Sequence, residues 1–316
     1  MGESALKRVL LLAMGVLLFL NGCSVFSSKE ETILTGKIND LREEPNLTSK
    51  DYQHEVKLID GRNEEVVKTL KPFEYDNEEK YQEDVKSLTE ELATGIDQPM
   101  IPAKISGDGK LIAGQSRVIL DEVKLIEQLS DVSIFNREIV LPITETAPNV
   151  SEEQLEGLDE AVLGSFTTRF NPSVKNRNTN IEISAKEIDN IVLGPGDRFY
   201  FNTIVGDSTP DKGYKMATVI VNKQFVDGYG GGVCQTSSTL YNAVENAGLE
   251  ILELHHHSKE VGYVPKGKDA TIAYGFKDFK FANNNDFPVV IKTIYNESSG
   301  SLEVRVTSSA KLVASN

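Results

Sequence analysis

The sequence contains little positive charge and few cysteines. Lys and Arg number 33 against 48 Asp and Glu, so the formal net charge is −15. This balance excludes nucleic acid as a partner, and it makes an anionic lipid surface a poor partner for the folded body. The 316 residues are 39% hydrophobic and 26% charged, which is typical of a globular chain long enough for two domains with separate cores.

The sequence also lacks a long apolar run. The one strong candidate, residues 9–20, is too short to span a bilayer comfortably. It follows Lys7 and Arg8 and ends at "LNGC", residues 20–23, which resembles the bacterial lipobox, where signal cleavage exposes a cysteine that carries lipid. We therefore predict a signal peptide over 1–22 and lipidation at Cys23, with the protein at the extracytoplasmic face of the cell membrane. A plain signal peptide or an anchor helix is the alternative, and both preserve export.

The remaining chain predicts an α+β fold in two parts. After a polar tether over 23–50, residues 51–146 carry a hairpin signal at Asp60-Gly61 and apolar residues at helical spacing. Residues 147–162 are polar and acidic and indicate a linker. Residues 163–310 predict a second α+β domain, in which one helix with a cysteine packs on a mainly antiparallel sheet.

The second cysteine, Cys234, directly follows Gly230, Gly231, Gly232 and Val233. Glycines allow a tight turn into a helix, and a thiol in the first helical turn meets free N–H groups that favour the thiolate and can bind an oxyanion. No Gly-Lys-Ser/Thr follows, so a phosphate loop is excluded. If Cys23 is lipidated, Cys234 has no disulfide partner and is reactive, intermolecular or simply buried.

Three of the four histidines follow at 255–257. On a predicted strand over 250–257, His255 and His257 share one face and His256 takes the other. Asp269 begins the next predicted strand. The order Cys, His, Asp is the general logic of thiol enzymes, with a nucleophile, a base and an orienting group.

This order leads to one catalytic hypothesis and two alternatives. Cys234 is the nucleophile, His257 or His255 the base and Asp269 the orienting group, while Gln235 and the helix N–H groups donate to the oxyanion. In the first alternative, Cys234 is an inert buried residue and the glycines serve only the turn. In the second, His255, His257 and the thiolate hold a metal ion. The sequence predicts no resident metal and no cofactor.

Six segments in order resemble the VanW family, which is named for a protein encoded with one type of vancomycin-resistance gene cluster. They are "GSFTTRFN" (164–171), "LGPGDRFYFNTIVG" (193–206), "GYGGGVCQTSSTLYNA" (228–243), "HHHS" (255–258), "YVPKGKDATIAYG" (263–275) and "DFKFANNNDFPVVI" (278–291). The family usually reads Arg-His-Pro-His-Ser around the histidines, whereas Leu254 and His256 stand here for the Arg and Pro. The residues predicted to contact a ligand are Gly230, Gly231, Gly232, Thr236, Ser237, Arg169 and Ser258.

The resemblance implies a role in the cell wall. Residues 51–146 resemble more loosely the peptidoglycan-binding domain often found before VanW domains. Both resemblances favour peptidoglycan or its precursors as the partner, with contact to the membrane through the N-terminal lipid. They leave two functions open: an envelope module that binds the wall without chemistry, and a thiol enzyme that acts on peptidoglycan peptides by acyl transfer.

Overall fold

The computed structural model describes residues 54–315 except 73–74, 76, 133–134 and 222–223. The predicted signal peptide, the lipidation site Cys23 and the tether over 23–50 lie outside the described residues. Within the described ranges, no helix has both the length and the apolar character needed to cross a membrane.

The described ranges form α-helices and mainly antiparallel β-strands, so the predicted α+β class is confirmed. The helices are Glu78–Ile96 (α1), Glu122–Ser130 (α2), Lys175–Ile188 (α3), Phe201–Val205 (α4), Val233–Asn246 (α5) and Ala310–Ala314 (α6). The strands are Val56–Asp60 (β1), Glu65–Leu70 (β2), Ala103–Ile105 (β3), Leu111–Ile112 (β4), Arg117–Leu120 (β5), Glu138–Val140 (β6), Ile143–Thr146 (β7), Ala161–Arg169 (β8), Ile191–Leu193 (β9), Arg198–Tyr200 (β10), Met216–Val221 (β11), Gln224–Tyr229 (β12), Glu250–Glu253 (β13), Lys280–Ala282 (β14), Val289–Asn296 (β15) and Ser301–Ser308 (β16).

The first part of the described chain has its own apolar cluster. Strands β1 and β2 pair as an antiparallel hairpin that turns after Asp60, and β6 pairs with β1 in parallel. Helix α1 begins after Asn77, whose side-chain oxygen accepts a hydrogen bond from the Glu79 N–H at 2.8 Å. Val85 and Leu92 lie on the apolar side of α1 and belong to this cluster, together with residues of the strands and of α2.

The largest sheet has six strands in the order β4-β3-β9-β15-β16-β8, all paired antiparallel. Strands β3 and β4 precede residues 147–162 in the chain, β8 begins inside this range at Ala161, and β9, β15 and β16 follow it. The chain from Gln53 to Asn316 is one compact unit. The prediction that the parts before and after residues 147–162 fold independently therefore stays a prediction.

Helix α5 lies directly against β8 and β16. A Cβ atom on Gly164 of β8 would lie 2.4 Å from the Ala243 carbonyl oxygen, so the missing side chain allows the helix and the strand to approach closely. Leu240 and Val244 are fully buried in the largest apolar cluster, together with residues of α3 and the sheet. This packing fixes the position of the first turn of α5.

Candidate functional site

Three consecutive glycines lead the chain into α5 because no side chain fits there. Gly232 is the residue before the helix and has φ of 116°, which other residues rarely adopt. A Cβ atom on Gly231 would lie 2.6 Å from the Thr218 carbonyl oxygen of β11. The turn places Cys234 in the first turn of α5 with its thiol half-buried.

The helix start leaves a free N–H group beside the thiol. The Val233 N–H donates to the Gly230 carbonyl at 3.0 Å, and the Gln235 N–H donates to the Gly232 carbonyl at 2.9 Å. The Cys234 N–H has no acceptor within the part of the chain that the structure describes. Because Gly232 has no capping side chain, this N–H can donate to an oxyanion that forms next to the sulfur.

His257 links the thiol to a carboxylate. Its Nδ1 lies 2.6 Å from Asp269 Oδ2, and the same oxygen accepts the His257 backbone N–H at 2.6 Å. Because a carboxylate only accepts, Nδ1 carries the proton and Nε2 stays free to act as a base. His257 and Cys234 line the same cavity and lie close enough for each to shift the pKa of the other. The thiol also has two weaker contacts, from Sγ to the Ile272 carbonyl oxygen at 3.7 Å and to Thr271 Oγ1 at 3.9 Å. The side chains of His257 and Asp269 are only 7% and 11% exposed, so little water competes for these contacts.

The electrostatics of the site favour a thiolate paired with an imidazolium. Burial raises the pKa of Cys234, but His257, with smaller contributions from Ile272 and Thr271, outweighs it, so the pKa lies below its ordinary value. Burial lowers the pKa of His257, whereas Cys234 and Asp269 raise it, and the net direction is upward. Each shift stabilises the charged form of its group, so the two shifts together favour the thiolate and the imidazolium as a pair.

The other two histidines lie apart from the thiol. His255 Nε2 contacts Glu253 Oε1 at 2.8 Å, and His256 Nδ1 contacts the Asp269 carbonyl oxygen at 2.8 Å. The predicted strand over 250–257 is wrong in length, because β13 ends at Glu253. The alternation of faces does not hold beyond that residue, and of the two candidate bases the structure brings His257 to Cys234.

The surroundings of Gln235 do not fit its predicted role as a donor to an oxyanion. It is 1% exposed, and its Nε2 donates to Thr168 Oγ1 at 2.9 Å and to the Arg169 carbonyl at 3.1 Å. Its Oε1 accepts from Arg177 Nη2 at 2.7 Å. Since both amide protons are used inside the protein, Gln235 has none left for an oxyanion. Of the donors predicted for that role, the Cys234 N–H is one that stays available.

Arg177 is the residue that sequence reasoning missed. It lies on α3 and lines the same cavity as Cys234. Its sequence signal is weak: it lies one turn before Ile181 on the helix face that buries Ile181, Ala185 and Ile188. A charged side chain at an inward-facing helical position is unusual, and this makes Arg177 a candidate site residue.

The remaining residues predicted to contact a ligand fall into three groups. Gly230, Gly231 and Gly232 line the cavity. Thr236 and Ser237 are fully buried and bond to Ser184 Oγ at 2.7 Å and to the Ala270 carbonyl at 2.6 Å, so they hold α5 in place. Arg169 and Ser258 are exposed and lie outside this cavity. Arg169 is on β8, and Ser258 lines a neighbouring depression.

The cavity above Cys234 has a volume of about 430 Å³. Its walls are α3, the start of α5, the hairpin of β11 and β12, and the loops at 260–263 and 271–274. Phe225 and Tyr229 of β12 face this region and are 63% and 48% exposed. Among the described residues, no group of three or more His, Cys, Asp and Glu side chains is placed to hold a metal ion.

Comparisons with known proteins point to one family. A family model described as VanW like protein matches residues 176–307, which include Arg177, Cys234, His257 and Asp269. The chain is 38% identical over 216 residues to an uncharacterized protein of Bacillus subtilis strain 168, YoaR, an alignment that covers 68% of this chain and 70% of the relative. It is 30% identical over 117 residues to the vancomycin B-type resistance protein VanW of Enterococcus faecalis strain ATCC 700802 / V583 and spans 42% of that protein. No solved structure matches the chain significantly.

Proposed function

We propose that this chain, which belongs to the VanW family, is a cysteine-dependent acyl-transfer enzyme that acts on peptidoglycan peptides. The observation that carries the proposal is His257, which Asp269 orients through Nδ1 and which lies beside Cys234 in one cavity that can admit a peptide. An inert buried cysteine requires no such oriented histidine. The raised pKa of His257 and the lowered pKa of Cys234 are those of a nucleophile activated by its base.

The geometry supports a two-step reaction. The Cys234 thiolate attacks a peptide carbonyl, a C–S bond forms, and the oxygen takes up negative charge beside the Cys234 N–H. His257 gives its proton to the departing amine as the C–N bond breaks, which leaves a thioester and a neutral imidazole. An incoming water or amine then gives a proton to His257 as it attacks the thioester, and the thiolate returns. Asp269 keeps the His257 ring in the required orientation throughout.

The choice of a wall peptide as the substrate has separate support. One relative carries vancomycin resistance in its name, and residues 51–146 resemble a peptidoglycan-binding domain. A second function uses the same cavity without chemistry. The exposed aromatic residues Phe225 and Tyr229 at its edge are suited to holding a ligand, so a module that binds peptidoglycan or its precursors is the alternative.

Turnover of purified peptidoglycan fragments separates the two functions. We expect the wild-type protein to convert fragments and Cys234→Ala to lose about a thousandfold or more of that rate, since removal of the nucleophile leaves only binding and the oxyanion donor. Mass spectrometry of the fragments measures the conversion, and fragment binding by Cys234→Ala controls for folding. Wild-type protein that binds fragments and leaves them unchanged would identify the module without chemistry.

The proposed location rests on the N-terminal sequence. Export and a lipid on Cys23 would hold the enzyme at the outer face of the membrane, close to wall peptides, and an anchor of the diacylglyceryl type needs no basic patch beside it. We expect Cys23→Ala to abolish incorporation of labelled fatty acid and to block normal maturation, as measured on gels of cells grown with the label. Continued incorporation in this variant would refute the anchor.

A further inference from the structure

Arg177 is a half-buried cation that no acidic side chain of the described residues neutralises within ion-pair distance. Its contacts are the hydrogen bond from Nη2 to Gln235 Oε1 at 2.7 Å and the Tyr263 ring, whose centroid lies 5.9 Å from Cζ. Partly removing a guanidinium from water is costly, and in proteins such groups usually pair with a carboxylate or phosphate. Here the cation faces a cavity instead.

The guanidinium is held in place with most of its donors unused. Gln235 is fixed by Thr168 and by the Arg169 carbonyl, so its oxygen is a rigid acceptor for Nη2. A guanidinium has five N–H donors in a planar fork, and this one uses a single donor on the described part of the protein. The remaining donors are available to a bound molecule.

The reaction itself already has the charges it needs. His257 balances the Cys234 thiolate, and the Cys234 N–H serves the oxyanion. Burial lowers the pKa of Arg177, while Tyr263 and the nearby Cys234 raise it. Once the sulfur is acylated it is neutral, and Arg177 then has no anion beside it unless the bound acyl group supplies one.

We propose that Arg177 binds a carboxylate of the substrate, so that the substrates are peptides with a free carboxylate close to the bond that Cys234 attacks. The identity of the substrate class rests on the proposed function, whereas the carboxylate site itself can be tested without turnover. A bidentate contact with the planar fork would orient the peptide as well as hold it.

Alkylation of Cys234 by iodoacetate and by iodoacetamide tests the site directly. In both reactions the thiolate forms a C–S bond as the C–I bond breaks and iodide leaves, and the reagents differ only in a carboxylate against an amide. Rates are read on the Cys234 peptide of the full-length protein by mass spectrometry. A change in the thiol pKa affects both rates equally, so the ratio of the two rates reports the carboxylate alone.

We expect Arg177→Gln to lower the ratio of the iodoacetate rate to the iodoacetamide rate by about tenfold to a hundredfold, the loss of a charge-assisted hydrogen bond. Arg177→Lys should retain part of the ratio, because it keeps the charge without the fork. Lys186→Gln on the exposed side of α3 removes the same charge and should leave the ratio unchanged. An Arg177→Gln variant that slows both reagents equally would overturn the proposal and make Arg177 a support for the thiolate.

Protection experiments on the wild-type protein keep the proposal testable if Arg177→Gln does not fold. N-acetylalanine offers a carboxylate at the end of a chain, and N-acetylisoglutamine offers one on a side chain. Protection of Cys234 from iodoacetamide by either one, but not by the neutral N-acetylalaninamide, supports the site and identifies which carboxylate it takes. No protection by either acid refutes it. These results do not depend on turnover, so a carboxylate site in a protein without turnover would refute only the enzymatic function.

Discussion

Replacement of His257 by glutamine is expected to slow the alkylation of Cys234 by iodoacetamide at pH 6.5 by about a hundredfold or more. In the wild-type protein the hydrogen bond and charge of His257 lower the pKa of the thiol against the opposing effect of burial. Without them burial, which is the largest single effect, raises the pKa and is opposed only by the contacts of the thiol with Ile272 and Thr271. An unperturbed thiol with a pKa near 8.5 is only about 1% thiolate at pH 6.5.

The pH dependence of alkylation shows in which direction His257 shifts the pKa of Cys234. Wild-type reactivity should already be high at pH 6.5, because the thiolate forms as the pH rises through the lowered pKa of Cys234. In His257→Gln the same rise should occur at a higher pH, because the largest effect that lowers the thiol pKa has been removed. His255→Gln is the matched control, since His255 bonds to Glu253 and not to the thiol. Equal rates for wild type and His257→Gln at pH 6.5 would show that His257 does not act on the sulfur.

Replacement of Asp269 by asparagine is expected to reduce the conversion of peptidoglycan fragments by about a thousandfold to ten-thousandfold. Asp269 Oδ2 accepts both the Nδ1 proton and the backbone N–H of His257. An amide group at this position can turn its NH₂ toward Nδ1, which favours the wrong tautomer and leaves no basic nitrogen in place. The shape of the residue is almost unchanged, so the loss measures the orienting role of the carboxylate.

A second buried carboxylate provides the control for Asp269→Asn. Asp278 accepts the Asn202 N–H at 2.8 Å at the start of α4, and it contacts neither Cys234 nor His257 within the described chain. Asp278→Asn should therefore retain the wild-type rate of fragment conversion once its folding has been verified by circular dichroism. A rate for Asp269→Asn within tenfold of the wild type would exclude the triad as the source of activity.

The parts of the site that could be predicted from sequence are local ones. The glycines and the following apolar stripe indicated the turn into α5, because backbone freedom and helical periodicity depend on neighbouring residues. The pairing of His257 with Asp269 agrees with the order of residues along the chain. Sequence periodicity cannot choose between His255 and His257, because both have the same parity on a strand. The strand ends at Glu253, and the Glu253 side chain binds His255 and Lys280.

The rest depends on contacts between distant residues. Gln235 points inward because Thr168, Arg169 and Arg177 meet there, and these residues lie on β8 and α3, far away in sequence. The pairing of β3 with β9 likewise joins segments on either side of the predicted linker. Neither contact has a local signature, so composition and periodicity could not reveal them.

The most direct test of the central claim is the intact mass of the protein after brief exposure to peptidoglycan fragments and an acid quench. We expect a covalent adduct with the mass of the acyl part of the fragment. It should lie on the Cys234 peptide as a thioester and be absent in Cys234→Ala. The adduct should disappear as hydrolysed or transferred product forms. Two results together would contradict a covalent mechanism at Cys234: the wild type forms product without any adduct, and Cys234→Ala forms product at an undiminished rate.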